Sequence, residues 1–322
     1  MKQFESLDEL WLDAANEIIE NGTDLPSRDG NCREVMGYVA RLTDPMSNFM
    51  FNPVRKMHPS YAAAELIWYL SGETEITRIE AYAPQYKRFV SGEKDDGLHS
   101  HGAYGGRLSE TSPAGYTMLA HVVRCLVKNP ESRQICLALW NNARDLPFAE
   151  SGGVGDIPCT LALNFLVRDG RLNLCATMRS NDIWLGTPYD IWCFTSLQFF
   201  IAEAAKLKLG WYQHQAMSLH AYERNHEKVQ LAADPPEFTV AKMGGYLPDS
   251  NDHSISEPIN ELCKMEKWNR QKGTCTKMHH LREGSRTHEL MLMASVKWAG
   301  ERAAKQLWNP TLKKYCLKGF CS

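Results

Sequence analysis

The stretch TLALNFLVRDGRLNLCATM, Thr160–Met178, reads as two apolar strands joined through Arg-Asp-Gly-Arg. Asp169 and Gly170 are the residues that a two-residue hairpin turn asks for, because both central positions need positive φ. Working outward, QICLALW upstream is a short apolar run with strand character, and AGYTMLAHVVRCLVKN before it has helical spacing up to Asn129-Pro130. SYAAAELIWYLSG, after Pro59, predicts a helix closed by Gly72, and the N-terminal segment repeats Phe4, Leu7, Leu10, Trp11, Ala14 and Ile18 on one helical face. Downstream, DIWCFTSLQFFIAEAAKLKLG is apolar nearly all round and predicts a buried helix ending in glycine. WYQHQAMSLHAY returns as a strand with polar residues interleaved, and THELMLMASVKWAGERAAKQLW predicts a last helix. The mixture implies α+β around one central sheet. No linker or repeat marks a second domain. The expectation is one domain over 1–322, with a polar, irregular insertion at about 235–284 and a C-terminal helix.

The chain has 322 residues, 43% hydrophobic and 23% charged, with a formal net charge of −2. That balance offers no electrostatic case for direct nucleic-acid binding or for an anionic membrane surface. No apolar run approaches the roughly 20 residues a membrane span needs, and the N-terminus lacks the basic start and apolar heart of a signal peptide. The ten cysteines are scattered through apolar segments without a paired framework. They suggest a reducing, cytoplasmic setting, with most of them small buried hydrophobes.

Cys159 follows a proline at the entrance to the first hairpin strand, and Arg179-Ser180 closes the second, so the hairpin brings the two ends together. Arg133 ends the turn NPESR, and Arg28 sits in the polar loop PSRDGN. His220 and Tyr222 alternate on one strand face, and Glu65 lies on an otherwise apolar helix face beside Trp68. Guanidinium groups bind phosphate oxygens in pairs, and arginines near a thiol favour its nucleophilic form. Each residue alone has a structural explanation: His220 as a core histidine, Glu65 as a solvated helix residue, Asp190 as a helix N-cap. Cys263 with CTKMHH fits no reliable zinc spacing, so no metal is expected.

The stretches SRDG, AELIWYLSGET, AYGGR, NPESR, DIPCTLALNF, MRSNDIWLGTPYDI and SLHAYERN resemble the thymidylate synthase family, in the family's order, over roughly residues 5 to 228. The resemblance implies a central mixed sheet flanked by helices and a homodimer formed through that sheet. It implies 5,10-methylenetetrahydrofolate as co-substrate and a pyrimidine nucleotide as substrate. Cys159 is then the nucleophile, and Glu65 and Tyr104 handle protons. Arg28, Arg133, Arg179 and Ser180 hold the phosphate, with Arg133 donated across the dimer. His220 and Tyr222 hold the sugar hydroxyl. Asp182, Leu185, Gly186 and Tyr86 fall at folate-contacting positions.

The chain departs from the uracil-using members at telling places. Where they carry an asparagine that reads the uracil edge, this chain has Asp190. Thr160 follows the nucleophile in place of histidine, and Asn181 gives RSND in place of RSCD. Both choices are similar to the deoxycytidylate hydroxymethylase branch, known from bacteriophages, and Asn181 joins the substrate-contacting set. The segment after SGET has Tyr82, Tyr86 and Phe89 but no tryptophan, which lowers the cover over a methylene carbon and admits water. Gln134 replaces a second turn arginine. Ser180 is similar to the residue of deoxynucleotide-using members. These features imply hydroxymethylation of dCMP, supplying nucleotide for modified phage DNA. Reductive methylation of dCMP, hydroxymethylation of CMP, thymidylate synthesis from dUMP and a retired nucleotide-binding homologue stay open.

Overall fold

The computed structural model describes residues 1–152, 155–236, 242–243, 256–275 and 281–320, and the side chains of 319–320 lie outside the description. The strands of the described residues are β1 Lys2–Phe4, β2 Thr23–Leu25, β3 Cys32–Leu42, β4 Cys136–Ala138, β5 Thr160–Arg168, β6 Arg171–Met178, β7 Asn181–Asp182 and β8 Lys208–Tyr222. With the helices between them they make an α+β chain with a central mixed sheet flanked by helices, as expected. Its residues gather in two compact units built from interleaved segments, which is why no single break in composition marks either.

The first unit comprises Met1–Met57, Cys159–Phe199 and Lys208–Gly244. Its strands run in the order β1-β3-β8-β6-β5, with β2 on β3 and β7 on β8. β5 and β6 are antiparallel, β6 and β8 parallel, and β8 and β3 antiparallel. The hairpin closes as its residues require: Asp169 has φ 53° and Gly170 φ 69°, with Arg168 opposite Arg171. The N-terminal helix, Leu7–Asn21, starts in a capping box between Ser6 and Glu9. It buries Leu7, Leu10, Trp11, Ala14 and Ile18, and Trp11 Nε1 donates to the carbonyl of Ile183 at 2.8 Å.

Asp8 of that helix is fully buried and accepts from the backbone N–H groups of Phe51 and Asn52, each at 3.0 Å. Burial pushes its carboxyl up to about 7 against the pull of those two donors. Asp8→Ala would leave two buried amides unpaired, so a loss of roughly 1–3 kcal/mol is expected, read as a lower urea midpoint at unchanged slope.

The apolar helix spans Thr187–Ala204 and stops before the predicted glycine. Lys206 takes φ 56°, and Leu207 N–H bonds back to the carbonyl of Ala202, after which β8 begins at Lys208. Gly210 is a strand residue: a Cβ there would lie 2.1 Å from Asn173 Oδ1, so close approach of two strands, not helix capping, requires it.

The second unit comprises His58–Pro158, Phe200–Leu207 and Gly245–Ser322. The helix Pro59–Ser71 has proline at its start and Gly72 at φ 74° after its end, as predicted. The predicted helix before Asn129 forms over Met118–Lys128, and the strand QICLALW is only the three residues of β4. The last helix is broken: Arg286–Ala299 ends at Gly300, φ 51°, and Glu301–Ala304 is a separate turn. The polar insertion is not wholly irregular, since it contains a helix over Ser256–Lys272. That helix is anchored by charge: Glu266, 0% exposed, pairs with Arg78, with Arg270 Nε at 2.8 Å, and accepts from Tyr82 OH at 3.0 Å. Arg78 also forks onto Glu73 at 2.8 and 2.9 Å.

No described cysteine is in a disulfide, but most are not buried. Cys125 and Cys136 are exposed because each lies on the outward side of an element whose inward residues, Leu126 and Leu137, fill the core. The residues 276–280 of CTKMHH lie outside the described set. No described helix is long and apolar enough to cross a membrane.

Candidate active site

In the first unit one end of the sheet collects most of the candidate residues. Cys159, half-buried, precedes β5, and its carbonyl accepts from Arg179 N–H at 2.8 Å across the hairpin. Arg179 Nη2 also reaches Cys159 Sγ at 3.8 Å. A guanidinium at that distance stabilises negative charge developing on sulfur. Ser218 N–H donates to the Arg179 carbonyl at 3.2 Å, which ties this end of the hairpin to β8.

β7 continues the line past Ser180. Asn181 stands opposite Leu219 and Asp182 opposite His220, and Ile183 N–H donates to the His220 carbonyl at 2.9 Å. His220 is buried, and its ring meets that of Tyr222 edge-on with centroids 5.1 Å apart. The buried Nδ1 of His220 has no hydrogen-bond partner among the described residues. Arg28 is exposed beside Asp29, at 3.4 Å, and Tyr222 OH reaches Asp29 Oδ2 at 3.5 Å. The loop carrying Arg28 thus lies against the end of β8.

From Asp182 the chain folds back in a tight turn. Asp182 Oδ1 accepts from the N–H groups of Trp184 and Leu185, at 2.7 and 3.1 Å. Its Oδ2 takes no hydrogen bond among the described residues, and Leu185 beside it is 40% exposed. Arg55, buried, holds the turn from behind by donating to the Trp184 carbonyl at 2.6 Å. Arg55 lies in none of the motifs of the sequence.

Gly186 lets the turn close over Asp190. A Cβ at Gly186 would lie 2.9 Å from Asp190 Oδ2 and 3.1 Å from Asn181 Nδ2. Gly186→Ala therefore wedges these two side chains, and a loss of roughly 1–3 kcal/mol in unfolding free energy is expected, read by urea denaturation.

Asp190, in the first turn of the helix Thr187–Ala204, accepts from Asn181 Nδ2 at 2.8 Å. Burial pushes its carboxyl up from 3.8 to about 7, with the nearby Asp182 adding to the rise and Asn181 opposing it. Such a group takes up a proton far more readily than an exposed carboxylate, and when protonated it donates as well as accepts.

In the second unit, Glu65 accepts from Tyr61 OH at 3.1 Å, Tyr104 packs edge-on against Tyr69 at 5.2 Å, and Tyr86 packs against Trp68 at 5.4 Å. Burial, with Asp156 and Glu65 adding negative charge, raises the Tyr86 phenol well above its ordinary range. The three candidates Glu65, Tyr86 and Tyr104 form one neighbourhood. Tyr82 is elsewhere, committed to Glu266. Arg133 is exposed between the helix Met118–Lys128 and β4.

A thiol beside a guanidinium thus lies at a polar strand end, next to an acidic turn. The family model for thymidylate synthase matches residues 9–257. The chain belongs to the thymidylate synthase family, whose members use methylenetetrahydrofolate as co-substrate.

Proposed function

We propose that the chain is a deoxycytidylate 5-hydroxymethylase. One observation carries the reading: at the position where uracil-using members keep an asparagine, Asp190 presents a carboxyl held near 7. Cytosine has an acceptor at ring nitrogen 3 and an amine at position 4. A carboxyl that shares a proton donates to the first and accepts from the second, and it stabilises the negative charge that nucleophilic addition sends to nitrogen 3.

The roles follow. Cys159 Sγ adds to carbon 6 of dCMP, which makes carbon 5 nucleophilic. The co-substrate supplies a carbon at the oxidation level of formaldehyde. Carbon 5 bonds to that carbon and gives up its hydrogen as a proton to ordered water beside Tyr104, with Glu65 assisting. The carbon–nitrogen bond to the folate breaks, so that tetrahydrofolate leaves with the electron pair and an exocyclic methylene is left. Water adds its oxygen to the new methylene carbon, and Cys159 leaves carbon 6 with its electron pair. The sum is dCMP plus methylenetetrahydrofolate plus water, giving 5-hydroxymethyl-dCMP and tetrahydrofolate, with no oxidation of the folate. Arg28, Arg133, Arg179 and Ser180 would hold the phosphate, His220 and Tyr222 the sugar hydroxyl, and Asp182, Leu185, Gly186 and Tyr86 the folate.

A homodimer through the sheet is part of the same reading. Trp211, Gln213, Gln215 and Met217 alternate on one face of β8, with Met217 64% exposed and Arg41 stacked on Trp211 at 3.9 Å. Sedimentation at micromolar concentration would give a single dimeric species if this face is paired.

The deciding experiment incubates the protein with methylenetetrahydrofolate and, separately, dCMP, CMP and dUMP, and weighs the products while following dihydrofolate by absorbance. A gain of one CH2O on dCMP without dihydrofolate is expected. A gain of one CH2 with dihydrofolate makes the chain a methyltransferase, and a product from dUMP alone overturns the role of Asp190. No exchange of the carbon 5 hydrogen with any nucleotide leaves a binding protein.

A further inference from the structure

Behind Asp190, β8 carries two side chains that the reaction does not use. Tyr212 and His214 stand two residues apart on its covered face, and both are fully buried. Tyr212 OH lies 2.9 Å from His214 Nδ1, and His214 Nε2 lies 2.9 Å from Asn181 Oδ1. Asn181 Nδ2 lies 2.8 Å from Asp190 Oδ2, and the Thr187 hydroxyl adds a contact to Asn181 Oδ1 at 2.6 Å. Four side chains form one line.

The direction of the line follows from what each group can do. An ionised carboxylate only accepts, so Asn181 presents its amino group to Asp190 and its carbonyl oxygen to His214. His214 then donates from Nε2. Burial holds its imidazole down at about 4, so it is neutral and carries one proton. Its Nδ1 is therefore an acceptor, and Tyr212 donates to it.

We propose that Tyr212, His214 and Asn181 form a one-way chain of hydrogen bonds whose last link commits Oδ2 of Asp190 as an acceptor, so that the carboxyl turns its other oxygen, and any proton it carries, to the pyrimidine. This rests on the reading of Asp190 as the residue at the pyrimidine edge. Among the described residues Oδ1 takes no hydrogen bond, which leaves it as the oxygen the chain does not occupy. Tyr212 and His214 are thus positioning residues: they touch no reacting atom and fix the amide of Asn181, which on its own could present either end. Polarised chains of this kind strengthen each successive link.

Among the described residues, three kinds of group bear on Asp190. Asp182 on β7 is the neighbouring charge, Asn181 supplies the hydrogen bond, and Tyr212 and His214 on β8 complete the surroundings. Removing the first donor lets the His214 proton move to Nδ1. Its Nε2 lone pair then opposes the Asn181 oxygen, the amide turns, and Asp190 loses the donor that stabilises its ionised form.

The test titrates the Asp190 carboxyl directly by carbon-13 NMR of aspartate-labelled full chain, assigned by its disappearance in Asp190→Asn. His214→Phe breaks the middle link, and Tyr212→Phe removes one hydroxyl while keeping the ring volume, so it stands even if the first variant fails to fold. The midpoint is expected to rise by roughly half a pH unit or more in Tyr212→Phe. The ratio of kcat/KM for dCMP over dUMP is expected to fall several-fold, with its pH profile moving by the same amount. An unchanged Asp190 midpoint in folded Tyr212→Phe overturns the chain, whichever nucleotide is the substrate. A raised midpoint in a protein that turns over neither nucleotide upholds the chain and overturns the proposed function.

Discussion

Asp190→Asn is expected to move preference from dCMP toward dUMP by roughly ten- to a hundredfold in the ratio of kcat/KM. The amide replaces a group that accepts from the 4-amine of cytosine with one that donates to the 4-oxygen of uracil. Asn181 keeps its amino group toward residue 190, so the new amide receives that donor on its oxygen and turns its own amino group outward. The same substitution changes stability, and the sign is fixed by linkage. The folded carboxyl titrates near 7 against an ordinary 3.8, so the folded state binds the proton more tightly than the unfolded chain. The wild-type protein thus loses stability from this group as pH rises from about 4 to about 7, by at most ~4 kcal/mol and less where water reaches the carboxyl. The variant lacks that loss. Its unfolding free energy minus the wild type's should therefore increase across this window and level off above it. A difference independent of pH would mean that Asp190 is an ordinary exposed carboxylate.

The second large effect is structural. Glu266→Ala is expected to cost about 3 kcal/mol, because it removes the carboxylate that the buried guanidinium of Arg78, the part-buried guanidinium of Arg270 and the Tyr82 hydroxyl all share. Glu73 still compensates Arg78, which places the figure at the low end of the range for broken buried pairs. Thermal unfolding should fall by roughly 4–5 °C for a chain of this size. A fall within about 2 °C would mean that the cluster orients the helix Ser256–Lys272 without stabilising it.

What the sequence disclosed depended on distance along the chain. The hairpin was legible because its turn, its strands and the nearness of Cys159 to Arg179 are all encoded within twenty-odd residues. The helix Pro59–Ser71 was legible from its proline and its Gly72. β3 escaped because Gly37, at φ 72°, interrupts its side-chain alternation between Met36 and Tyr38, although its register with β8 is the same on either side. Nothing local says that CREVMGYVARL pairs with residues far downstream. The end of the helix Thr187–Ala204 was misplaced because EAAKLKLG keeps helical propensity, while pairing of Lys208 onward with β6 and β3 decides the boundary. For the site, the contiguous motif from Arg179 to Asp190 announced its carboxylates. Tyr212 and His214 did not stand out, since a tyrosine and a histidine in an apolar strand read as core. The polar interleaving of WYQHQ was the available signal. Glu266 and Arg78 each look like surface residues until the fold puts them together.

The hairpin between Cys159 and Arg179 also sets a parity. Side chains along a strand face alternate sides, so one residue added at Asp169-Gly170 would slide β5 against β6 by one position. Every side chain of one strand would then face the opposite way, and Phe165 and Val167 would leave the core. Two added residues, in contrast, would lengthen the tip and leave the pairing beneath it in step. Insertions at this tip should therefore be tolerated by even count, a rule that depends on neither the nucleotide nor the folate.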